Sequence, residues 1–233
     1  MTSENKIVTF IYFGEKQVSI SFYKGKNNLL LKKDLLQKKD DLISDKDSVS
    51  FIEEIILEFE KKNQSFIKNV NIIVDKDHSK EIRASIKKKL VNDKIEKEDI
   101  ENTIFELKKI VQENNENFLI NYIRINNFSV DGKNYQNFNE IQNGEILCLE
   151  VKFEIIKKEL EKKIRSKLSL LQIDVEKLFS VKSLNLIPNN NDEEDFNAAA
   201  SNLYYNFDEN QVFMVQKNRE KLGFFEKLFH LFD

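Results

Sequence analysis

Two runs rich in β-branched and aromatic residues open the chain, KIVTFIYF and QVSISFY, broken at Phe13-Gly14-Glu15 and again at Lys24-Gly25-Lys26. That punctuation predicts a meander of two or three strands. The period then changes. Ile52, Ile55, Ile56 and Phe59 recur at helical spacing, so a helix capped by Ser48 or Ser50 is expected to run to about Lys62 with Glu53 in its first turn. A short strand over Val70 to Val74 follows. Strands, a helix and a strand in this order suit a mixed sheet covered on one face.

From Asp75 to Pro188 the pattern repeats on a different plan. Glu81 to Val91 reads as a strand, and Lys97 to Val111 as a helix with Ile100, Ile104, Leu107, Ile110 and Val111 inward. Phe118 to Ile125 reads as a strand with inward alternation, and Asp131-Gly132 as a turn. Glu145 to Ile155 is a further strand, Lys157 to Leu171 a helix, and Leu178 to Ile187 a last strand. This unit is α+β, with helices against a small sheet. Beyond Pro188 the run NNNDEEDF is a polar break. Asp195 or Asn197 can then cap a short helix, FNAAASNLYYNF.

The final segment, KNREKLGFFEKLFHLFD, has helical periodicity and no evident core of its own. At 100° per residue, Leu222, Phe224, Phe225, Leu228, Phe229, Leu231 and Phe232 share an arc of roughly 180°. Arg219, Gly223, Glu226, Lys227, His230 and Asp233 fill the other side. Such a helix is suited to lying in a lipid headgroup plane, and it is too short and too charged to span a bilayer. Its basic and acidic residues nearly balance, so apolar insertion must outweigh attraction to anionic lipid. The other reading has the same face docking on the chain's own body or in a partner's groove.

Composition narrows the classes. A net charge of −3, with both signs interspersed, offers no basic domain for nucleic acid, and Lys87-Lys88-Lys89 reads as a solvated strand edge. The single cysteine, Cys148, lies in ILCLEV, reads as a small buried core residue and excludes a disulfide framework. A reducing compartment, the cytosol, is expected, and Met1 to Lys6 is too polar to begin a signal peptide. Heavy use of Lys, Asn, Ile and Phe points to an AT-rich bacterial genome. His78 and His230 are the only histidines, and neither lies near a Cys or an acidic cluster at metal-ligand spacing. No nucleophile has a positioned base, and acidic pairs such as Glu53-Glu54 read as solvated surface. No enzyme, cofactor or metal site is expected.

Three stretches, in order, carry a resemblance. IEKEDIENTIFELKKIV is followed at matching spacing by NFLINYIRINNFSVDGKNYQN and EILCLEVKFEIIKKELEKKIRSKLSLLQIDVEKLFSV; then come FNAAASNLYYNF and the amphipathic tail. Together they resemble the bacterial cell-division protein FtsA, of the actin-like ATPase superfamily. Glu98 and Asp99 fall at the family's acidic helix start, and Val130, Asp131 and Gly132 at its Val-Asp-Gly turn. Phe196 to Phe207 is similar to its last core helix, and the tail to its membrane-targeting helix. The chain departs from the family where nucleotide would bind. Aligning Gly14 to the glycine of the Asp-x-Gly-Thr phosphate turn puts Tyr12 at the Asp and Glu15 at the Thr. No counterpart of the second phosphate loop or of the glycine-rich adenosine motif is seen.

The resemblance implies a reduced actin-like (ribonuclease-H-like) subdomain over 1–75, completed by a helix over 196–207. An FtsA-type strand-helix-strand-strand insertion subdomain would occupy 76–188, a linker with the last core helix 189–216, and a C-terminal amphipathic helix 217–233. It implies a non-catalytic adaptor, peripheral on the cytoplasmic face of the membrane, that tethers FtsZ filaments or other divisome proteins and self-associates. The alternatives are a soluble interaction scaffold and a pilus-assembly adaptor with an FtsA-like fold.

Overall fold

A computed structural model describes residues 6–26, 28–36, 45–90, 95–135, 143–184 and 195–206. The meander is three strands, β1 (Ile7–Phe13), β2 (Gln17–Lys24) and β3 (Asn28–Leu36), followed by helix α1 (Lys46–Asn63) and strand β4 (Asn69–Val74). Next come β5 (Ser79–Lys89), α2 (Lys97–Glu113), β6 (Phe118–Val130), β7 (Lys133–Asn134) and β8 (Ile146–Lys157). The described chain closes with α3 (Lys158–Ser169), β9 (Asp174–Ser180), α4 (Val181–Leu184) and α5 (Phe196–Asn206).

β3, β2, β1, β4 and β9 form a five-stranded mixed sheet in that order, antiparallel across the meander and parallel from β1 through β4 to β9. Its central strands are buried on both faces, which is why β1, β2 and β4 read as near-continuous apolar runs. One face carries Ile11, Phe13, Val18, Ile20, Phe22, Ile72 and Val74 against Ile52, Ile55, Ile56 and Phe59 of α1 and Ile164 and Leu168 of α3. The opposite face carries Val8, Phe10, Tyr12, Tyr23 and Ile73 against α4 and Ala199, Ala200 and Leu203 of α5. The sheet is therefore covered on both sides rather than one. The architecture is mixed α+β, as the sequence pattern predicts.

The second sheet has the order β5-β8-β6-β7. Along β8, Leu147, Leu149, Val151 and Phe153 are buried while Cys148, Glu150 and Lys152 are half-buried, the period-2 signature of a sheet with one packed face. Cys148 thus lies on the open face and not in the core. β6 and β7 meet at Asp131-Gly132, where φ values of 49° and 80° make the left-handed two-residue turn that Asp-Gly favours. The Asp131 carboxylate accepts from the backbone N–H of Glu145 and Ile146, at 3.2 and 2.8 Å, which ties this turn to the start of β8. Lys87 and Lys89 are exposed on the outer strand β5, and Lys88 pairs with Glu106 of α2.

The described residues group into two compact units. One takes those within 1–81, 114–122 and 154–211, and the other those within 82–113 and 123–153. α3 and β9 group with the first, whereas the sequence reading set the break after 188.

Several local expectations are corrected. Asp45, not Ser48 or Ser50, caps α1; its carboxylate accepts from the Ser48 N–H at 3.3 Å. In α2 the buried stripe is Ile100, Thr103, Leu107 and Val111, while Ile104 is half-buried and Ile110 exposed. At 100° per residue Ile110 lies about 70° off the centre of that stripe. β6 is longer than expected and does not alternate. The last strand is Asp174–Ser180, because this stretch pairs in parallel with the whole of β4, and Val181–Leu184 then turns helical. The cap of α5 is Asp195, whose carboxylate accepts from the N–H of Asn197 and Ala198 at 3.1 and 3.2 Å.

Candidate functional site at the carboxyl edge of the sheet

Because β1, β4 and β9 are parallel, their carboxyl ends, Phe13, Val74 and Ser180, finish at one edge of the sheet. Ligand crevices of open α/β sheets lie at such edges. The β1–β2 turn is closed by a hydrogen bond from Gly14 N–H to the Gln17 carbonyl at 2.9 Å. Asp75, one residue past β4, is the hub of the edge. One carboxylate oxygen accepts from the Glu15 N–H at 3.2 Å and from the Tyr12 hydroxyl at 3.4 Å. The other accepts from the Lys76 N–H at 2.6 Å and caps a short 3-10 turn over Lys76–His78.

The Tyr12 ring lies over Gly14 so closely that a Cβ built there would meet its hydroxyl at 2.6 Å. On its other side the ring packs on Phe196 with centroids 5.1 Å apart. Burial, then the charge of Asp75, pushes the Tyr12 phenol well above its ordinary value, so it stays a neutral hydrogen-bond donor. A backbone N–H that could meet an anion at this turn is therefore held by a carboxylate, with a second carboxylate, Glu15, beside it. At the β9 end Ser183 Oγ donates to the Ser180 carbonyl at 2.8 Å and accepts from its N–H at 3.3 Å. The Ser183 N–H in turn donates to Ser180 Oγ at 3.4 Å. These serines are spent on starting α4.

Glu154 is buried near this end of β9. Its carboxyl accepts from the Asn121 amide at 3.3 Å. Burial raises its pKa against opposing hydrogen bonds from Ser180 and Asn121 and the charge of Lys182. Lys182 itself donates to the Ser79 carbonyl at 2.7 Å. Just past β4, a pocket of about 200 Å³ is lined by His78, Lys80, Lys157 and Lys163, with Asp77 and Glu159 among them. Lys80 lies over its Phe118 ring at 5.3 Å. The mixed charge suits a weakly held polar group. Its members are spread over some 85 positions of sequence, which is why no local motif revealed it. Asp75 was likewise missed, since a lone Asp after a strand carries no signal by itself.

Among the described residues no cluster of His, Cys, Asp and Glu could hold a metal, and no helix is long and apolar enough to cross a membrane. The sequence-predicted membrane residues, Leu222, Phe224, Phe225, Leu228, Phe229, Leu231 and Phe232, and with them His230, lie outside the described residues.

No protein-family model matches the chain, and no curated protein matches its sequence. Among solved structures, it is similar to a PilM-PilN type IV pilus biogenesis complex, at 10% identity over 77% of this chain and a TM-score of 0.43. It is also similar to the cytoplasmic domain of EpsL, an inner-membrane component of the type II secretion system of Vibrio cholerae, at 9% identity over 78% and a TM-score of 0.41. A third similarity is to a Bacteroides thetaiotaomicron protein of actin-like ATPase fold and unknown function, at 13% identity over 79% and a TM-score of 0.33. The chain spans 48%, 60% and 56% of those three chains' own lengths.

Proposed function

We propose that this chain is a non-catalytic adaptor that binds protein partners and, through residues 217–233, a membrane surface. The observation that carries this reading is the carboxyl edge of the five-stranded sheet. There Tyr12 covers Gly14, and Asp75 takes the Glu15 N–H at 3.2 Å. A turn in this state repels a phosphate, so what the core offers is surface. The tail supplies weak reversible membrane affinity, and clustering several tails on one assembly multiplies it through effective concentration.

Two settings follow from the sequence resemblance, cell division with FtsZ as partner and pilus assembly. The names of the solved structures fall with the second, but at TM-scores of 0.43 and 0.41 they carry no argument between them. The test therefore has an arm for each. The purified chain is co-sedimented with FtsZ filaments and, separately, mixed with a PilN-type protein; binding in one arm names the setting, and binding in neither leaves the scaffold reading. Calorimetry with Mg-ATP is expected to be silent, and micromolar binding or hydrolysis above background removes the non-catalytic reading. In liposome co-sedimentation, deletion of 217–233, Phe225→Glu and Phe229→Glu are each expected to abolish binding. Lys227→Glu, on the polar arc, is expected to retain it. Equal binding by all variants sinks the membrane role.

A further inference from the structure

β3 is an outer strand of the five-stranded sheet, nine residues long, and Leu29, Leu30 and Leu36 on it are 44%, 40% and 76% exposed. An outer strand whose two ends are apolar, here around a charged centre of Lys32, Lys33 and Asp34, is a template for a further strand. β5, at the edge of the other sheet, carries Arg83, Lys87 and Lys89 exposed along its length, whereas β3 confines its charges to Lys32, Lys33 and Asp34, of both signs, at its centre.

We propose that β3 pairs antiparallel with β3 of a second copy of this chain, about a two-fold axis at Lys33, continuing the five-stranded sheet across the dimer. The register follows from charge. Opposed side chains in an antiparallel pair share a face, and a two-fold axis preserves that face, so opposed residue numbers differ by an even amount. Centred on Lys32, Lys33 meets Leu31 and Asp34 meets Leu30 of the other copy. Centred on Asp34, Lys33 meets Leu35 and Lys32 meets Leu36.

Only centring on Lys33 sets Lys32 opposite Asp34, twice by symmetry, at the cost of one Lys33–Lys33 meeting across the axis; Lys32 already holds Asp195 of its own copy at 2.9 Å, so Asp34 of the other copy joins that pair as a second carboxylate. The same register sets Leu31 opposite Leu35, twice. Both leucines are partly buried against the α1-side core, so pairing extends that apolar face from one copy into the next. From Leu31 to Leu36 the strand is in regular register with β2; the one shift falls between Phe22 and Tyr23, opposite Leu30. The bulge thus lies outside the pairing stretch.

This inference stands on the strand and not on the adaptor reading, and its test leaves the filament and liposome arms untouched. The full chain is followed by sedimentation equilibrium up to about 1 mM, where even a weak dimer must show. A concentration-dependent dimer is expected, and a monomer throughout overturns the proposal. Asp34→Lys replaces both Lys–Asp pairs by repulsion and is expected to raise the dimer Kd about tenfold. Its urea midpoint should not change, because Asp34 is exposed. An unchanged Kd overturns the register.

Under mild oxidation Lys33→Cys is expected to cross-link two copies, since opposed Cα atoms lie about 4.5–5.5 Å apart, within disulfide reach. Lys32→Cys and Asp34→Cys, whose thiols are offset along the strand, should not, with the natural chain as the blank for Cys148. Equal cross-linking at 32, 33 and 34 means the strands do not pair as proposed.

Discussion

The two faces of the five-stranded sheet are built on different terms. Toward α1 and α3 the interface is mainly apolar, with Phe22 and Phe59 stacked at 3.9 Å and 5°. Thr9 and Ser48 are among the few buried polar side chains on that side, and the Thr9 hydroxyl has no protein partner among the described residues. Toward α5, Phe10 meets Tyr23 and Tyr204 edge-on at 5.8 and 6.1 Å, but Ser19, Ser21, Asn71, Asn197 and Ser201 are buried there as well. Asn197 donates to Ser19 Oγ at 2.9 Å, and Ser201 Oγ to the Lys26 carbonyl at 2.9 Å. The side-chain oxygens of Asn71 and Asn197 have no protein partner among the described residues. The first face is held by area, which is forgiving of detail. The second needs particular hydrogen bonds, and each unmet one subtracts from its stability. α5 is accordingly the less firmly held cover.

Phe59→Ala gives the largest expected effect on that difference, a loss of about 3–5 kcal/mol in urea unfolding, because the ring is fully buried and stacked. Leu203→Ala on the α5 side is expected to cost about 2 kcal/mol, the low end for such a truncation, since α5 can shift over a looser interface. If the two losses are equal, the faces do not differ as described. Hydrogen exchange sharpens the point: the amides of α5 should exchange through a smaller opening than those of α1, and equal protection counts against it.

Gly14→Ala probes the α5 side at its edge. The new methyl must displace the Tyr12 ring from Asp75, at about 1–3 kcal/mol. In a Tyr12→Ala background the same change should be nearly neutral, and additive losses would falsify the close approach.

The smallest effect is expected at Glu154, which belongs to neither apolar cluster and calibrates what a buried carboxylate costs this protein. Its pKa is raised above the ordinary value of 4.5, so the folded chain holds that proton more tightly than the unfolded one. Its contribution to stability is complete below about pH 4.5 and is lost as pH rises through the raised value. Glu154→Gln should then gain slightly on the natural protein as pH rises and match it in acid. A gap between their urea midpoints that does not vary with pH assigns the difference to something other than titration.

Much of the core sheet was legible in the sequence, because β1, β2 and β4 are short runs with turn residues between them and α1 shows its whole buried stripe at helical period. The second sheet was legible in order but not in detail. Ile110 and Cys148 are apolar residues in apolar surroundings, and composition does not say which of two faces is packed. β9 was displaced because Asp174 to Ser180 has only Val175, Leu178 and Phe179 to mark it, and pairing with β4 decides its start.

By itself the sequence determined the α+β class, a meander of two or three strands, the Asp131-Gly132 turn and the amphipathic period of residues 217–233. Each rests on residues close together in the chain, where backbone preference and periodicity act. Only the tertiary structure decided that α5 closes the far face of the sheet, that Asp75 reaches the first turn across 60 positions, and that β3 is left at an edge. These depend on strands being brought side by side, and pairing partners far apart in the chain leave no mark on local pattern.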